Sequence, residues 1–277
     1  MQKIQCDGAY FQPKSTLDCG QVFRYRAWRN GYLVCTSDRA CYLYTEGPCT
    51  SIECEDKDAE YFYTYFDLSR DYKEICDRAK AYGIASVSAA AEYGKGMRIL
   101  SQNREETVFS FLVSQNNHIP RIKSILERIA EGAGEEKYFM GEKFYTFPSA
   151  LRLAREDETF FARSGAGYRA KYLAKTAKML AQGALEGSQA LTGTELRARL
   201  MQLEGVGPKV ADCIALFAYR DTSAFPVDTW LEKVYREDFN GSLTDREKIS
   251  EYFKNLFQDI AGYVQQYLFY CKRGEKR

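Results

Sequence analysis

The chain has 277 residues, 45% of them hydrophobic and 28% charged, the balance of a globular protein with length for about two domains. Its 39 basic and 38 acidic side chains leave a formal charge of +1, so a nucleic-acid partner is not announced by net charge; any basic surface must come from local segregation. No apolar run approaches the ~20 residues of a membrane span, and Met1-Gln2-Lys3 does not open a secretory signal. Nine cysteines without a Cys-x-x-Cys pair read as reduced thiols, so the expectation is a cytoplasmic protein with no membrane association.

In chain order, the first ~50 residues read as β-structure. Val22 to Trp28 alternates, with Phe23, Tyr25 and Ala27 on one face and Arg24 and Arg26 on the other. Asn30-Gly31 is a hairpin signal, and Gly31 to Thr36 and Arg39 to Tyr44 read as further strands. An acidic stretch from Glu53 to Asp58 leads into helices carrying Phe62, Tyr65 and Phe66, then Ile75 and Ala79. Beyond Tyr93-Gly94 the pattern predicts helix after helix and no strand. Helices are expected over Glu106–Ser114, over Ile119–Ile129 with Pro120 near its start, over Asp245–Leu256 and over Ile260–Tyr270. The predicted fold is α+β: an N-terminal antiparallel β-sheet domain with helices (1–94), then an all-helical domain (95–277).

The most informative run is LEGVGPKVADC, Leu203 to Cys213, followed by PVDTW, Pro226 to Trp230. Leu196, Leu200 and Leu203 mark one face of a helix that stops at Gly205-Val206-Gly207, where glycine permits positive φ and close approach of a partner. Pro208 opens a second helix. This helix, glycine hairpin, helix unit presents amide N–H groups at a helix N-terminus, a site suited to an anion such as a DNA phosphate. Lys209 lies in the first turn, the end of a helix dipole that disfavours cations. It reads either as a phosphate-contacting or solvated lysine, or as an amine nucleophile activated by a lowered pKa. Asp228 reads as an N-cap, a role compatible with stabilising a developing cation.

Together these stretches resemble the helix-hairpin-helix and Gly/Pro-Asp signature of a DNA glycosylase superfamily. Lys209 matches the catalytic lysine of its bifunctional members and Asp228 its signature aspartate. GQVFRYR (Gly20–Arg26), SQNNHIPRI (Ser114–Ile122), GYRAKY (Gly167–Tyr172) and GYVQQYLFY (Gly262–Tyr270) resemble segments of one branch, the eukaryotic-type 8-oxoguanine DNA glycosylases, in the same order along nearly the whole chain.

The resemblance implies a base-excision enzyme acting on double-stranded DNA that contains 8-oxoguanine. The lesion would be flipped into a pocket, Lys209 would attack C1′ to form a Schiff base, and β-elimination would nick the strand. No metal or redox cofactor is implied. Gly20 would offer its carbonyl to N7–H, Cys213 and Phe269 would sandwich the base, and Gln265 would bond its Watson–Crick edge. Asn116, Arg121 and Arg169 match contacts to the opposite cytosine and Tyr168 the wedge residue, with a phosphate contact the other reading of Arg169. Gly205 and Gly207 would meet the backbone. His118 reads as structural or DNA-contacting, and a monomer is the expectation by analogy. Two departures stand out: Trp230 replaces the family's usual histidine, and only Cys213 and Cys271 follow Cys76, which excludes a C-terminal four-cysteine iron–sulfur loop. A glycosylase for another lesion and a non-catalytic DNA-binding protein are the alternatives.

Overall fold

The structure, a computed structural model, describes residues 1–274. Five strands, β1 (Gln2–Asp7), β2 (Tyr25–Trp28), β3 (Gly31–Thr36), β4 (Arg39–Glu46) and β5 (Cys49–Cys54), form one antiparallel sheet in the order β1-β5-β4-β3-β2. Alternation sets its two faces. Val34, Cys41, Leu43, Ile52 and Cys54 turn one way, onto Phe62, Tyr65 and Phe66 around the helix Ala59–Tyr65. Leu33, Cys35, Ala40, Tyr42 and Tyr44 turn the other way.

That second face corrects the expectation of a strandless region beyond Gly94. A short hairpin, β6 (Glu136–Phe139) and β7 (Glu142–Tyr145), covers it with Phe139 and Phe144. Each strand is only four residues long and half charged, too little for a periodicity signal; its turn, Met140-Gly141, has φ of +51° and +84°. Packing on the sheet, rather than local sequence, holds this hairpin.

The predicted turn at Asn30-Gly31 is displaced by one residue. Trp28 pairs with Gly31, so the two-residue loop is Arg29-Asn30, with Arg29 at φ +51°. Gly31 is needed for another reason: a Cβ there would lie 2.4 Å from the Leu43 carbonyl oxygen.

Helices from both ends of the chain build the main core. Ile75 and Ala79 of Tyr72–Ala81 and Val87 and Ala90 of Ala85–Tyr93 belong to the same buried cluster as Tyr263, Val264 and Tyr267 of the last helix, Ala261–Gly274. Helices Arg104–Ser114, Ile119–Ala133, Ala170–Ala181 and Pro208–Ala218 complete it. Phe225, Phe253 and Phe257 stack in series beneath the helix Thr229–Asp238, with ring centroids 4.5 and 6.0 Å apart between neighbours. Among the described residues no helix is long and apolar enough to cross a membrane. All nine cysteines are free thiols.

One buried ion cluster ties sheet to helices. Arg24, expected on the face opposite Phe23, is 1% exposed, although Arg26 beyond it is exposed. Its Nη2 donates to the Tyr145 carbonyl at 2.5 Å, while Nε and Nη1 lie 3.3 and 3.7 Å from Glu127 and Glu106. Glu106 also accepts the Ser37 N–H at 2.6 Å; burial raises its pKa, and Arg24 and that N–H partly offset the rise. Removing the arginine alone leaves Glu106 buried beside no cation. Arg24→Met is expected to lower unfolding free energy by about 3–5 kcal/mol in denaturant titration, and Glu106→Gln in the same chain to recover part of the loss.

Candidate active site

The glycine hairpin joins Gly193–Leu200 to Pro208–Ala218, so the first helix ends earlier than the leucine spacing suggested; Leu203 is buried from the intervening turn. Its two glycines serve different needs. Gly205 has φ +79°, and a Cβ there would lie 2.6 Å from the Tyr172 ring. The Gly205 carbonyl accepts from Gln115 Nε2 at 3.1 Å, and that of Glu204 accepts from the Thr176 hydroxyl at 2.9 Å. These bonds fix the hairpin to the asparagine turn and to helix Ala170–Ala181. Gly207, at φ −91°, has no positive φ to supply; it is the helix N-cap, without a side-chain cap, and open space surrounds it. Its value is clearance for an approaching anion.

The helix that follows places Lys209 and Cys213 one turn apart on one face. Lys209 is half-buried, with Nζ 5.7 Å from the centroid of Phe111. Burial alone would lower its pKa. The Cys213 sulfur, which it hydrogen-bonds, and the Asp228 carboxylate outweigh burial, and the net direction is up. Of the two readings of Lys209, the free protein shows an ammonium held by these two groups. Burial pushes the Cys213 thiol up to about 11, with Lys209 opposing, so the pair near neutral pH is ammonium and thiol. Asp228 caps Thr229–Asp238 as predicted, its Oδ1 accepting from Trp230 N at 2.9 Å and Leu231 N at 3.0 Å.

Lys209 and Asp228 open onto a cleft of about 520 Å³, lined also by Gly20, Phe111, Trp230 and Phe269. The cleft deepens into a recess of about 40 Å³ bounded by Cys213, Gln265 and Gln266 as well as Gly20 and Phe269. The structure thus gathers every residue expected in the base pocket around the lysine and aspartate. The recess has room for about one water molecule, far less than a purine. Phe269 and Arg273 crowd Gly20 at its edge: a Cβ on Gly20, whose φ is +84°, would meet both the Phe269 ring edge and Arg273 Nη1 at 3.2 Å.

None of Asn116, Arg121 and Tyr168 lines the cleft: Asn116 is exposed at φ +44°, Arg121 is exposed with Nη2 3.3 Å from the Gly165 carbonyl, and Tyr168 is 55% exposed. Arg169 differs from both sequence readings. It is 3% exposed and donates to the carbonyls of Gln115 (Nε, 2.8 Å), Asn116 (2.9 Å) and Ala166 (3.2 Å), so it braces the turn that carries Asn116 rather than offering itself to a base or phosphate. His118, the N-cap residue of Ile119–Ala133, lines the cleft. Phe111, Arg273 and Gln266 are among the lining residues that the sequence reading did not single out as site residues.

The glycine pair gives a direct test. Gly205→Ala should destabilise the fold by about 1–3 kcal/mol, from strain at positive φ and the Tyr172 clash, whereas Gly207→Ala should leave Tm nearly unchanged. Asp228→Asn, which retains a capping oxygen, should cost less stability than Asp228→Ala, expected at about 1 kcal/mol in thermal or denaturant unfolding.

Comparison with known proteins agrees with this geometry. Residues 3–108 match the 8-oxoguanine DNA glycosylase N-terminal domain, and residues 109–259 the HhH-GPD superfamily of base-excision DNA repair proteins. A probable N-glycosylase/DNA lyase of Methanothermobacter thermautotrophicus is 31% identical over 76% of this chain and 72% of its own. An N-glycosylase/DNA lyase of Arabidopsis thaliana is 36% identical over 65% of this chain, which spans 53% of that longer relative. The Clostridium acetobutylicum 8-oxoguanine glycosylase/lyase, solved with double-stranded DNA containing cytosine opposite 8-oxoguanine, superposes with a TM-score of 0.92 at 33% identity, covering 100% of this chain and 99% of that one. The chain belongs to the HhH-GPD superfamily of base-excision DNA repair proteins, in its 8-oxoguanine DNA glycosylase branch.

Proposed function

We propose that this chain excises 8-oxoguanine from duplex DNA, preferring cytosine opposite the lesion, and then nicks the strand. The observation that carries the reading is the convergence of Lys209, Cys213 and Asp228 with Gly20, Gln265 and Phe269 on one cleft. Gly20 comes from the N-terminal 1–94 region and the others from 95–277, so the base would be read between them.

A base within the stack is out of reach of Lys209, and the nucleotide has to flip into the cleft. Phe269 then lies on one face of the base, with Cys213 on the other. The Gly20 carbonyl accepts N7–H, the proton that 8-oxoguanine has and guanine lacks, and a glycine there lets the backbone come close. Lys209 attacks C1′ as the glycosidic bond breaks, its ammonium proton passing to the departing base, which leaves with the electron pair of that bond, and the Asp228 carboxylate stabilises the positive charge developing on the sugar. Ring opening gives the Schiff base. Loss of a C2′ proton then expels the 3′ phosphate, and water frees Lys209. The sequence is balanced in electrons and calls on no redox group.

On the opposite strand, Asn116 and Arg121 would meet the orphaned cytosine, with guanidinium donors facing acceptors on its edge. Tyr168 would wedge into the vacated stack, and Arg169 would hold the turn. The uncapped helix start at Gly207 would take a backbone phosphate, making affinity fall with salt. Action on chromosomal DNA in the cytoplasm and a monomeric state accompany this reading.

Lys209→Gln should abolish excision and nicking of an 8-oxoguanine:cytosine duplex while retaining binding in a gel-shift assay; nicking at the native rate by that variant would contradict the assignment. Because Lys209 rests as an ammonium with its pKa raised, its neutral fraction grows with pH. The single-turnover excision rate should therefore rise between about pH 6 and 8. A flat profile would show that the lysine is already neutral in the complex.

A further inference from the structure

The recess contains a buried polar atom that the mechanism above does not use. Gln265 and Gln266 are 4% and 3% exposed and both bound the recess. A backbone carbonyl fixes how their amides point. Pro226 O can only accept, so the Gln265 group 3.1 Å away is its Nε2. Gln265 Oε1 therefore faces Gln266, and the Gln266 group 2.7 Å from it has to be Nε2, since two carbonyl oxygens would repel. Gln266 Oε1 is left as the free end of this chain. It is buried and has no hydrogen-bond partner among the described residues.

An orphaned buried acceptor costs stability, and orphaned groups in native structures mark places where another partner is expected. Because Gln266 bounds the recess, a donor that enters the recess is placed to be that partner. On the reading of the site given above, the entering group is a guanine-type base, whose Watson–Crick edge carries N1–H and N2–H₂ side by side. An adenine-type edge carries an acceptor at N1 instead.

We propose that Gln266 is a specificity-determining residue of this pocket: its Oε1, beside the remaining lone pair of Gln265 Oε1, forms a paired acceptor that reads the two adjacent donors of a guanine-type lesion and rejects adenine-type lesions. Gln265 alone, with Oε1 already accepting from Gln266, has one lone pair for two donors. The second amide completes the match, and its own N–H holds the first in register. An adenine-type edge would leave a carbonyl oxygen against N1, and that repulsion is the source of selectivity.

The proposal rests on the glycosylase reading, and the test separates the two. In a Lys209→Gln background, which binds without turnover, affinity is measured for duplexes carrying 8-oxoguanine, 8-oxoadenine or a tetrahydrofuran abasic analogue opposite cytosine. Adding Gln266→Met, close in shape but without donor or acceptor, should weaken 8-oxoguanine binding roughly 10- to 100-fold. Abasic binding should stay within about twofold, and the preference over 8-oxoadenine should shrink by more than the loss on 8-oxoguanine, because relief of the repulsion at N1 raises 8-oxoadenine affinity. Tm should not fall by more than about 2 °C, because one orphaned oxygen is exchanged for another. Unchanged 8-oxoguanine affinity, or equal loss on the abasic duplex, would overturn the proposal. So would a loss on both oxopurines that leaves their ratio intact. Gln266→Leu is read in the same way should the methionine variant bind no duplex at all. If Lys209→Gln itself shows no preference for 8-oxoguanine, the glycosylase reading fails and the assignment of Gln266 with it, whereas a preference that Gln266→Met leaves unchanged overturns the assignment alone.

Discussion

A lysine at the start of a buried helix stands in the wrong place for a cation. Helix dipoles repel positive charge at that end, and burial strips the ammonium of water. In this chain Lys209 is held there nonetheless by the Cys213 sulfur one turn on and the Asp228 carboxylate across the cleft, with the Phe111 ring nearby. The surrounding structure serves that placement. Gly205, locked by positive φ against Tyr172, fixes where the second helix begins, and Asp228 is fixed in turn as the cap of the next one.

The pocket in the free protein narrows from an open cleft to a small recess. Phe269 lies against Gly20, the recess has room for about one water, and the Gln265–Gln266 pair has one oxygen unmatched. On the reading proposed above, a base whose donors match these acceptors would be favoured over one that leaves them unmatched.

The parts that sequence could reveal were those whose chemistry is local. The glycine hairpin, Pro208 at the helix start, Asp228 as a cap and the β3–β4 pairing all follow from residue-level preferences, and each stands where expected. The cleft residues were named through resemblance, and the fold brings them together from positions 20 to 269. What was not legible depends on tertiary partners. β1 is polar and mostly exposed, and β6–β7 form because Phe139 and Phe144 find the back of the sheet. Arg24 looked like a surface residue until Glu106, Glu127 and the Tyr145 carbonyl closed around it, and Arg169 is likewise claimed by carbonyls that no local pattern announces. The upward net shift of Lys209 had the same cause: sequence shows a lysine near a helix start but not the two groups facing it.

The central claim is that Lys209 forms a covalent bond with the sugar of an 8-oxoguanine nucleotide. Borohydride trapping tests it most directly, with duplexes bearing 8-oxoguanine opposite cytosine, thymine glycol, or no damage, followed by peptide mass analysis. The account predicts an adduct on the 8-oxoguanine duplex alone, mapped to Lys209 and lost in Lys209→Gln. An adduct at another residue, trapping on thymine glycol instead, or none despite intact DNA binding would contradict it.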